Sequence, residues 1–184
     1  MTDQRCGVIA IVGRPNVGKS TLLNHLLGQK LSITSRKPQT TRNQVLGVST
    51  QGRTQLIFVD TPGLHLGQSK AINKMMNKAA ASALTGVDLT LLLCDRTKWT
   101  AEDDYVLDVV SRHEAPVALV INKTDLLRDR DELLPFVEAL SARCRFDAVL
   151  PVSALRARGL EELTEFVEAH VPVGPHLFPD DQIT

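Results

Sequence analysis

Short apolar runs alternate along the chain with longer stretches in which apolar residues recur at helical spacing. The short runs are rich in β-branched residues and predict strands that are buried on both faces. The longer stretches predict amphipathic helices. The predicted strands lie at 7–12, 43–50, 54–60, 87–95, 116–122 and 148–152. The predicted helices lie at 19–27, 69–84, 102–112, 131–143 and 160–171.

This alternation predicts an α/β fold with three layers, because strand-helix repeats build an open, mostly parallel sheet with helices on both faces. Only residues 51–53 separate the second and third strands, so these two are predicted to form an antiparallel hairpin. The result is a six-stranded sheet with one antiparallel strand. Ligands of such sheets bind at the carboxyl ends of the strands, so the candidate chemistry should lie there.

The composition is that of a one-domain protein and does not indicate a particular binding partner. The chain has 184 residues, enough for one domain, and its formal net charge of zero does not indicate a nucleic-acid or membrane surface. Cys6, Cys94 and Cys144 form neither a disulfide framework nor a zinc motif, and we interpret them as buried thiols. The chain shows no signal peptide and no apolar run of membrane-spanning length, which predicts a cytoplasmic protein.

The first predicted strand runs into a glycine-containing loop that opens the first helix. Residues 13–20 read GRPNVGKS and fit the pattern GxxxxGK[ST], in which backbone N–H groups and the helix N-terminus bind phosphates. This motif places the sheet in the P-loop NTPase fold class. Lys19 is predicted to contact the β- and γ-phosphates, and the Ser20 hydroxyl to bind Mg²⁺. The predicted nucleotide contacts here are Gly13, Arg14, Pro15, Asn16, Val17, Gly18, Lys19, Ser20 and Thr21.

A second motif, DTPG, follows the third predicted strand at residues 60–63. A carboxylate at a strand end beside the phosphate loop can hold Mg²⁺ directly or through water, which is the predicted role of Asp60. Gly63 has no side chain, so its N–H can approach the γ-phosphate and release it after hydrolysis.

Two further motifs predict that the base is guanine. NKTD occupies residues 122–125, where the Asp125 carboxylate can accept two hydrogen bonds that adenine cannot donate. Asn122 is predicted to tie this loop to its neighbours, and the Lys123 stem to cover the base or sugar. VSA occupies residues 152–154, with Ser153 in the site and the Ala154 N–H directed at guanine O6.

In this order the four motifs resemble the Era family of TRAFAC-class GTPases, and the similarity extends over essentially the whole chain. QTTRN at residues 39–43 is similar to that family's first switch segment. The resemblance implies a threonine that binds Mg²⁺ beside the γ-phosphate; Thr40 and Thr41 are both candidates, and Thr41 is preferred. The implied metal ligands are Ser20, Thr41 and Asp60, and the implied catalytic residues are Lys19, Thr41, Gly63 and Asn16.

The resemblance also implies that hydrolysis is slow. Leu64 follows DTPG, where Ras-like proteins carry a glutamine that orients the attacking water. Asn16 matches a residue that holds an activating K⁺ in several relatives, and the alternative, that it only supports the loop, stays open. The predicted activity is conversion of GTP and water to GDP and phosphate, with GTP or GDP and Mg²⁺ as cofactors and K⁺ as a candidate.

By the same resemblance, residues 1–173 form an Era-type G domain and residues 174–184 begin a linker to a KH domain absent from this chain. The full-length protein would act in maturation of the small ribosomal subunit by binding 16S rRNA through that KH domain, with peripheral membrane association a further option. Two other classes stay open: a P-loop kinase or ATPase, which NKTD disfavours, and a nucleotide- or RNA-binding module without catalysis. Trp99 is interpreted as a packing anchor and His65 as a solvated loop residue. Arg36, Lys37 and Arg42 form a small basic cluster that is interpreted as part of a solvated switch loop, and contact with RNA phosphates stays open as the alternative.

Overall fold

The structure is a computed structural model that describes residues 4–28, 44–60 and 84–179. Its strands are β1 (Arg5–Val12), β2 (Gln44–Gln51), β3 (Thr54–Asp60), β4 (Leu89–Asp95), β5 (Val117–Asn122) and β6 (Ala148–Pro151). The α-helices of the described residues are α1 (Lys19–Leu27), α2 (Ala101–Ser111), α3 (Leu133–Ser141) and α4 (Leu160–His170). Short 3-10 helices occupy Thr124–Leu126 and Arg130–Glu132. The helix predicted at 69–84 lies outside the described residues except for its last position.

The six strands form one sheet in the order β2-β3-β1-β4-β5-β6. β2 pairs with β3 in the antiparallel sense, and every other neighbouring pair is parallel. The predicted fold class is therefore confirmed, including the single antiparallel strand. The parallel strands end at one edge of the sheet, where the loops at 13–18, 96–100, 123–129 and 152–159 follow them.

Alternate residues of the central strands face opposite layers of helices. On β1, Val8 and Ala10 belong to the core beneath α2 and α3, whereas Ile9 and Ile11 belong to the core beneath α1 and α4. Because both faces are covered, these strands have no solvent-facing side, and this is why they read as continuous apolar runs. Burial on both faces holds the carboxyl edge in place for the loops that follow it.

Element boundaries differ from the prediction by only a few residues, each for a local reason. The first helix ends at Leu27 and is capped by Gly28, as predicted, and the glycine adopts φ 66°. The helix predicted from residue 131 begins at Leu133, because the Asp129 side chain accepts the Asp131 N–H at 2.9 Å and starts a 3-10 helix first. β4 begins at Leu89 rather than residue 87, because the Val87 N–H bonds back to the Leu84 carbonyl in a turn.

The segment after α4 is fastened to the sheet by one buried side chain on β3. Gln55 is fully buried, and its Oε1 accepts the N–H groups of Leu177 and Phe178, each at 2.9 Å. Its Nε2 donates to the Phe178 carbonyl at 2.9 Å and to Thr50 Oγ1 at 3.1 Å. The predicted domain boundary at residue 173 stays a prediction, but contacts with the sheet continue to Phe178.

We expect Gln55→Met to lower the free energy of unfolding by about 2–3 kcal/mol, because methionine keeps the length but loses the bonds to three main-chain groups. Urea denaturation measures this loss, and thermolysin should cleave faster before Leu177, in the released segment. Gln51→Met, at the exposed end of β2, is the matched control and should leave both measurements unchanged. Wild-type stability in Gln55→Met would show that the segment is not held by this side chain.

Candidate nucleotide-binding site

The phosphate loop between β1 and α1 has a backbone that few residues other than glycine can adopt. Gly13 has φ 154°, and a Cβ there would lie 2.7 Å from the Leu93 carbonyl oxygen. Gly18 has φ 100°, and a Cβ there would overlap Nδ2 of Asn122. Asn16 also has positive φ, 65°, a conformation that asparagine tolerates better than most residues. The local sequence thus specifies a tight curl that leads into the N-terminus of α1.

The other predicted residues of this loop divide by burial. Pro15, Asn16, Ser20 and Thr21 are exposed, whereas Val17 is fully buried and anchors the curl in the core. The exposed Ser20 hydroxyl, in the first turn of α1, makes no hydrogen bond in the part of the chain that the structure describes. The hydroxyl oxygen is therefore available as a ligand for a metal ion.

Lys19 crosses the loop it follows. Its ammonium donates to the main-chain oxygens of Gly13 at 2.6 Å and Arg14 at 2.9 Å. Burial lowers the pKa of Lys19, Asp60 at the end of β3 opposes this, and Arg14 adds to it. An ammonium has three donors, so one remains for a phosphate oxygen while two hold the loop. The electrostatic influence of Asp60 on Lys19 fits the predicted placement of a metal-binding carboxylate beside this lysine.

Several predicted residues lie outside the described residues, and their roles stay predictions. They are Arg36, Lys37, Thr40, Thr41, Arg42, Gly63, Leu64 and His65.

Asn122 joins three loops through one buried amide. Its Nδ2 donates to the Val17 carbonyl in the phosphate loop at 2.9 Å, and its Oδ1 accepts the Ala154 N–H at 3.0 Å. The side chain is buried, so neither bond competes with water. The linking role predicted for Asn122 is present as these two bonds. These two bonds hold the phosphate loop, the NKTD loop and the VSA loop in fixed positions relative to one another.

The Ala154 N–H is already engaged by Asn122, so a guanine O6 at this position would share it. The Leu155 N–H, next along the same turn, makes no hydrogen bond within the described residues. It supplies a second donor from the same loop. Whether Ala154 contacts a base stays a prediction.

Asp125 is held by Ser153, which is fully buried. The Ser153 hydroxyl donates to Asp125 Oδ1 at 2.6 Å and accepts the Arg156 N–H at 3.2 Å. This hydrogen bond is the main reason that the pKa of Asp125 lies below its ordinary value; desolvation opposes it, and Arg156 and Arg158 help to lower the pKa. The carboxylate is therefore ionised and oriented at neutral pH. Ser153, predicted as a nucleotide contact, acts here on Asp125.

Asp95 is a site residue that the sequence interpretation missed. It ends β4 and accepts from Arg96 Nε at 2.8 Å and from Lys123 Nζ at 3.2 Å. Burial, the largest influence, raises its pKa, but the hydrogen bonds and charges of Arg96 and Lys123 outweigh it and leave the pKa lowered. Lys123 also donates to the Asn16 carbonyl at 2.6 Å. Asp95 could have been predicted from its position, because it is a carboxylate at the end of a buried strand, as Asp60 is.

Arg14 was predicted to contact the nucleotide, but its side chain points to α2. Its Nε lies 2.9 Å from Oδ2 of the buried Asp103. Nothing in the sequence singles out Asp103, because acidic residues in the first turn of a helix are common.

The remaining interpretations concern residues away from the loops. Trp99 is a packing anchor as predicted, with its ring edge-on to Phe136 at 5.9 Å and its Nε1 donating to Asp104 Oδ1 at 2.8 Å. All three cysteines are buried and unpaired, also as predicted. No helix in the described ranges is long and apolar enough to cross a bilayer. Residues 4–28, 44–60 and 84–179 also contain no cluster of three or more histidine, cysteine or acidic metal ligands.

The fold and the loops at the carboxyl ends of its strands define a P-loop nucleotide-binding domain. A family profile described as 50S ribosome-binding GTPase matches residues 8–123, and the chain belongs to this family. It is similar to GTPase Era of Marinobacter nauticus, with 56% identity over 99% of this chain and 60% of that protein. GTPase Era of Pseudomonas savastanoi is 52% identical over 100% of this chain and 61% of its own length. The chain thus spans about 60% of these curated relatives, and the predicted resemblance to Era is confirmed.

Solved structures agree with the fold. One is Era in complex with MgGDPNP and nucleotides 1506–1542 of 16S ribosomal RNA, with a TM-score of 0.76 and 37% identity over 97% of this chain and 61% of that one. An Aquifex aeolicus Era variant bound to GDP and AlF4⁻ has the same TM-score and identity, and covers 98% of this chain and 62% of its own. The G domain of the T. maritima iron transporter FeoB has a TM-score of 0.61 and 27% identity, and the match covers 90% of this chain and 98% of that domain.

We expect Ser153→Ala to raise the pKa of Asp125 toward its ordinary value, because the substitution removes the hydrogen bond that favours the carboxylate most. NMR titration of the Asp125 carboxyl carbon measures the change. Ser111→Ala removes an exposed hydroxyl whose one hydrogen bond within the described residues goes to the Asp108 carbonyl, and should leave this titration unchanged. An unaltered titration in Ser153→Ala would mean that the serine does not set the state of Asp125.

Proposed function

We propose that this chain binds GTP and hydrolyses it to GDP and phosphate, acting as a nucleotide-dependent switch. The observation that carries the proposal is the buried amide of Asn122, which links the phosphate loop at Val17 to the base-side loop at Ala154. A single side chain thereby links the two loops that we propose to contact the two ends of one nucleotide. Membership in a family of GTPases supports the same reaction.

Asp125 would read the base. A carboxylate held by Ser153 accepts hydrogen bonds and donates none, so it suits the N1–H and exocyclic amine of guanine. Adenine has no such pair of donors there and would leave the carboxylate unpaired. Structures of Era with GDPNP and with GDP support a guanine nucleotide.

The other end of the nucleotide would lie against the phosphate loop and Lys19. The loop N–H groups and the start of α1 would bind the β-phosphate, and the Lys19 ammonium would contact the β- and γ-phosphate oxygens. Ser20 and Asp60, with Thr41, would hold Mg²⁺, and the exposed Ser20 hydroxyl fits that role. When bound, Mg²⁺ neutralises negative charge on the phosphate oxygens.

Thr41 and Gly63 would close around the γ-phosphate and open once it has left. Because Leu64 stands where Ras-like proteins have a glutamine, we expect the attacking water to be poorly oriented and the intrinsic rate to be low. The Era variant with GDP and AlF4⁻ supports hydrolysis in this family, since AlF4⁻ stands in for a phosphoryl group in transfer. Phosphate release under multiple turnover distinguishes this proposal from a binding module without catalysis.

We expect the wild type to prefer GDP over ADP by about 4 kcal/mol or more, the scale of a buried polar mismatch, and Asp125→Asn to lose that preference. Asparagine can donate as well as accept, so it suits guanine less and xanthine more. Isothermal titration with GDP, ADP and XDP measures this. Asp129→Asn, an exposed carboxyl in the following turn, is the matched control. Equal binding of GDP and ADP by the wild type would overturn the base assignment and favour a kinase or ATPase.

Asn16 is a candidate ligand for a K⁺ ion that stabilises charge in the transition state. It is exposed, and within the described residues its side-chain amide makes no hydrogen bond, while its main-chain oxygen accepts from Lys123. The amide oxygen is therefore available to a cation. The alternative, that Asn16 only supports the loop, would rest on its positive φ.

If Asn16 holds K⁺, replacing K⁺ by Na⁺ at constant ionic strength should lower the hydrolysis rate by about tenfold or more. Asn16→Gly keeps the positive φ available but removes the amide, and should make the rate insensitive to the cation. Phosphate release measured in both salts decides the matter. Equal wild-type rates in K⁺ and Na⁺ would leave Asn16 with the supporting role alone.

For the full-length protein we propose a role in maturation of the small ribosomal subunit in the cytoplasm. The support comes from Era bound to nucleotides 1506–1542 of 16S ribosomal RNA. We further propose that rRNA is bound by a KH domain beyond a linker that begins near residue 174, a module that clamps the nucleotide backbone. The zero net charge of this chain is consistent with an RNA-binding surface located elsewhere. Peripheral membrane association stays a prediction.

A further inference from the structure

The ion pair between Arg14 and Asp103 joins the middle of the phosphate loop to the first turn of α2. The Arg14 Nε–Asp103 Oδ2 distance is 2.9 Å, and the side chains are 17% and 1% exposed. A carboxylate buried to this degree requires compensation by hydrogen bonds and an opposite charge. Removing the arginine or the carboxylate alone would leave the other charge without its partner.

Asp103 is held in place independently of Arg14. Its Oδ2 also accepts the Thr100 N–H at 2.8 Å and the Thr100 hydroxyl at 3.0 Å, which caps α2. The N-terminal end of the helix further favours a negative charge there. The carboxylate is thus a fixed point on a helix, and the loop residue Arg14 is fastened to it.

The peptide unit of Arg14 in turn holds Lys19. The Arg14 carbonyl accepts from Lys19 Nζ at 2.9 Å, beside the Gly13 carbonyl at 2.6 Å. The chain of contacts therefore runs from α2 through Arg14 to the ammonium predicted to bind phosphate. Any displacement of Arg14 would move one of the two acceptors that position this ammonium.

We propose that Asp103 is a positioning residue for nucleotide binding: through Arg14 it holds the phosphate loop and Lys19 in their binding arrangement and thereby slows nucleotide release. Arg14 itself acts as an anchor of the loop, and its side chain does not bind phosphate. This inference rests on the proposed function, because it concerns the same site. A preformed loop loses less conformational freedom when it binds, so weakening the anchor should speed dissociation.

The test is a double-mutant cycle on the full chain with Asp103→Asn, Arg14→Gln and both together. Release of a fluorescent N-methylanthraniloyl GDP, chased with unlabelled GDP, gives the dissociation rate. Each single variant should release it at least about tenfold faster, and the double variant should be no faster than the worse single one. Multiplied effects in the double variant would show that the two residues act independently and would overturn the proposal.

Two further variants separate positioning from helix stability. Asp108→Asn removes an exposed carboxyl of the same helix that pairs with Arg112, and should leave release unchanged. Thr100→Ala removes the capping hydroxyl but retains the pair between Arg14 and Asp103. If Thr100→Ala speeds release as much as Asp103→Asn, loss of the cap explains the effect and the proposal fails. The fluorescence of Trp99, the only tryptophan, reports whether the start of α2 stays packed.

A measurement without nucleotide distinguishes failure of this inference from failure of the proposed function. Amide hydrogen exchange at residues 13–19 should be faster in Asp103→Asn than in the wild type, because the anchored loop opens more often. Faster exchange in a protein that does not bind GDP would refute the proposed function, and would still show that Asp103 holds the loop in place. Unchanged exchange and unchanged release in a wild type that does bind GDP would refute the positioning role alone.

Discussion

The arrangement of the site depends on a single buried amide. Asn122 is out of contact with water, so its donor and its acceptor must both be matched inside the protein, and they are matched by Val17 in one loop and Ala154 in another. The close approach also explains Gly18, since any side chain there would overlap this amide. Three loops that are distant in sequence are thereby held at one spacing. Under the proposed function, these loops would contact the phosphates and the base of one nucleotide.

Ion pairs with carboxylates on the neighbouring helix and strand also hold the loops of the site in place. Asp103 fastens Arg14, and Asp95 fastens Lys123, which in turn reaches the Asn16 carbonyl. Both carboxylates lie at the start of a helix or the end of a strand, so the rigid elements of the fold set their positions. Strained backbone is concentrated in the same region, with positive φ at both Asn16 and Lys123. Such strain persists only where the surroundings over-determine the conformation, and here they do.

At the other end of the strands, a second buried amide holds the segment that follows α4. Gln55 is as thoroughly buried as Asn122, and it too satisfies its amide with main-chain groups from a segment distant in sequence. One amide joins the loops of the site, and the other joins the segment after α4 to β3. In each case a buried side-chain amide, with both its nitrogen and its oxygen hydrogen-bonded, specifies one arrangement where apolar packing alone would allow several.

The sequence alone determined the succession of strands and helices along the chain, the antiparallel hairpin and the family. These follow from local pattern: apolar period, turn residues, and motifs whose members are adjacent in the chain. It also indicated that Asn122 would link loops. The tertiary structure decided the partners, such as Asp103 for Arg14, Asp95 for Lys123 and Ser153 for Asp125. Such pairs join residues 28 to 89 positions apart, and no periodicity relates them; only the folded sheet brings them within hydrogen-bonding distance.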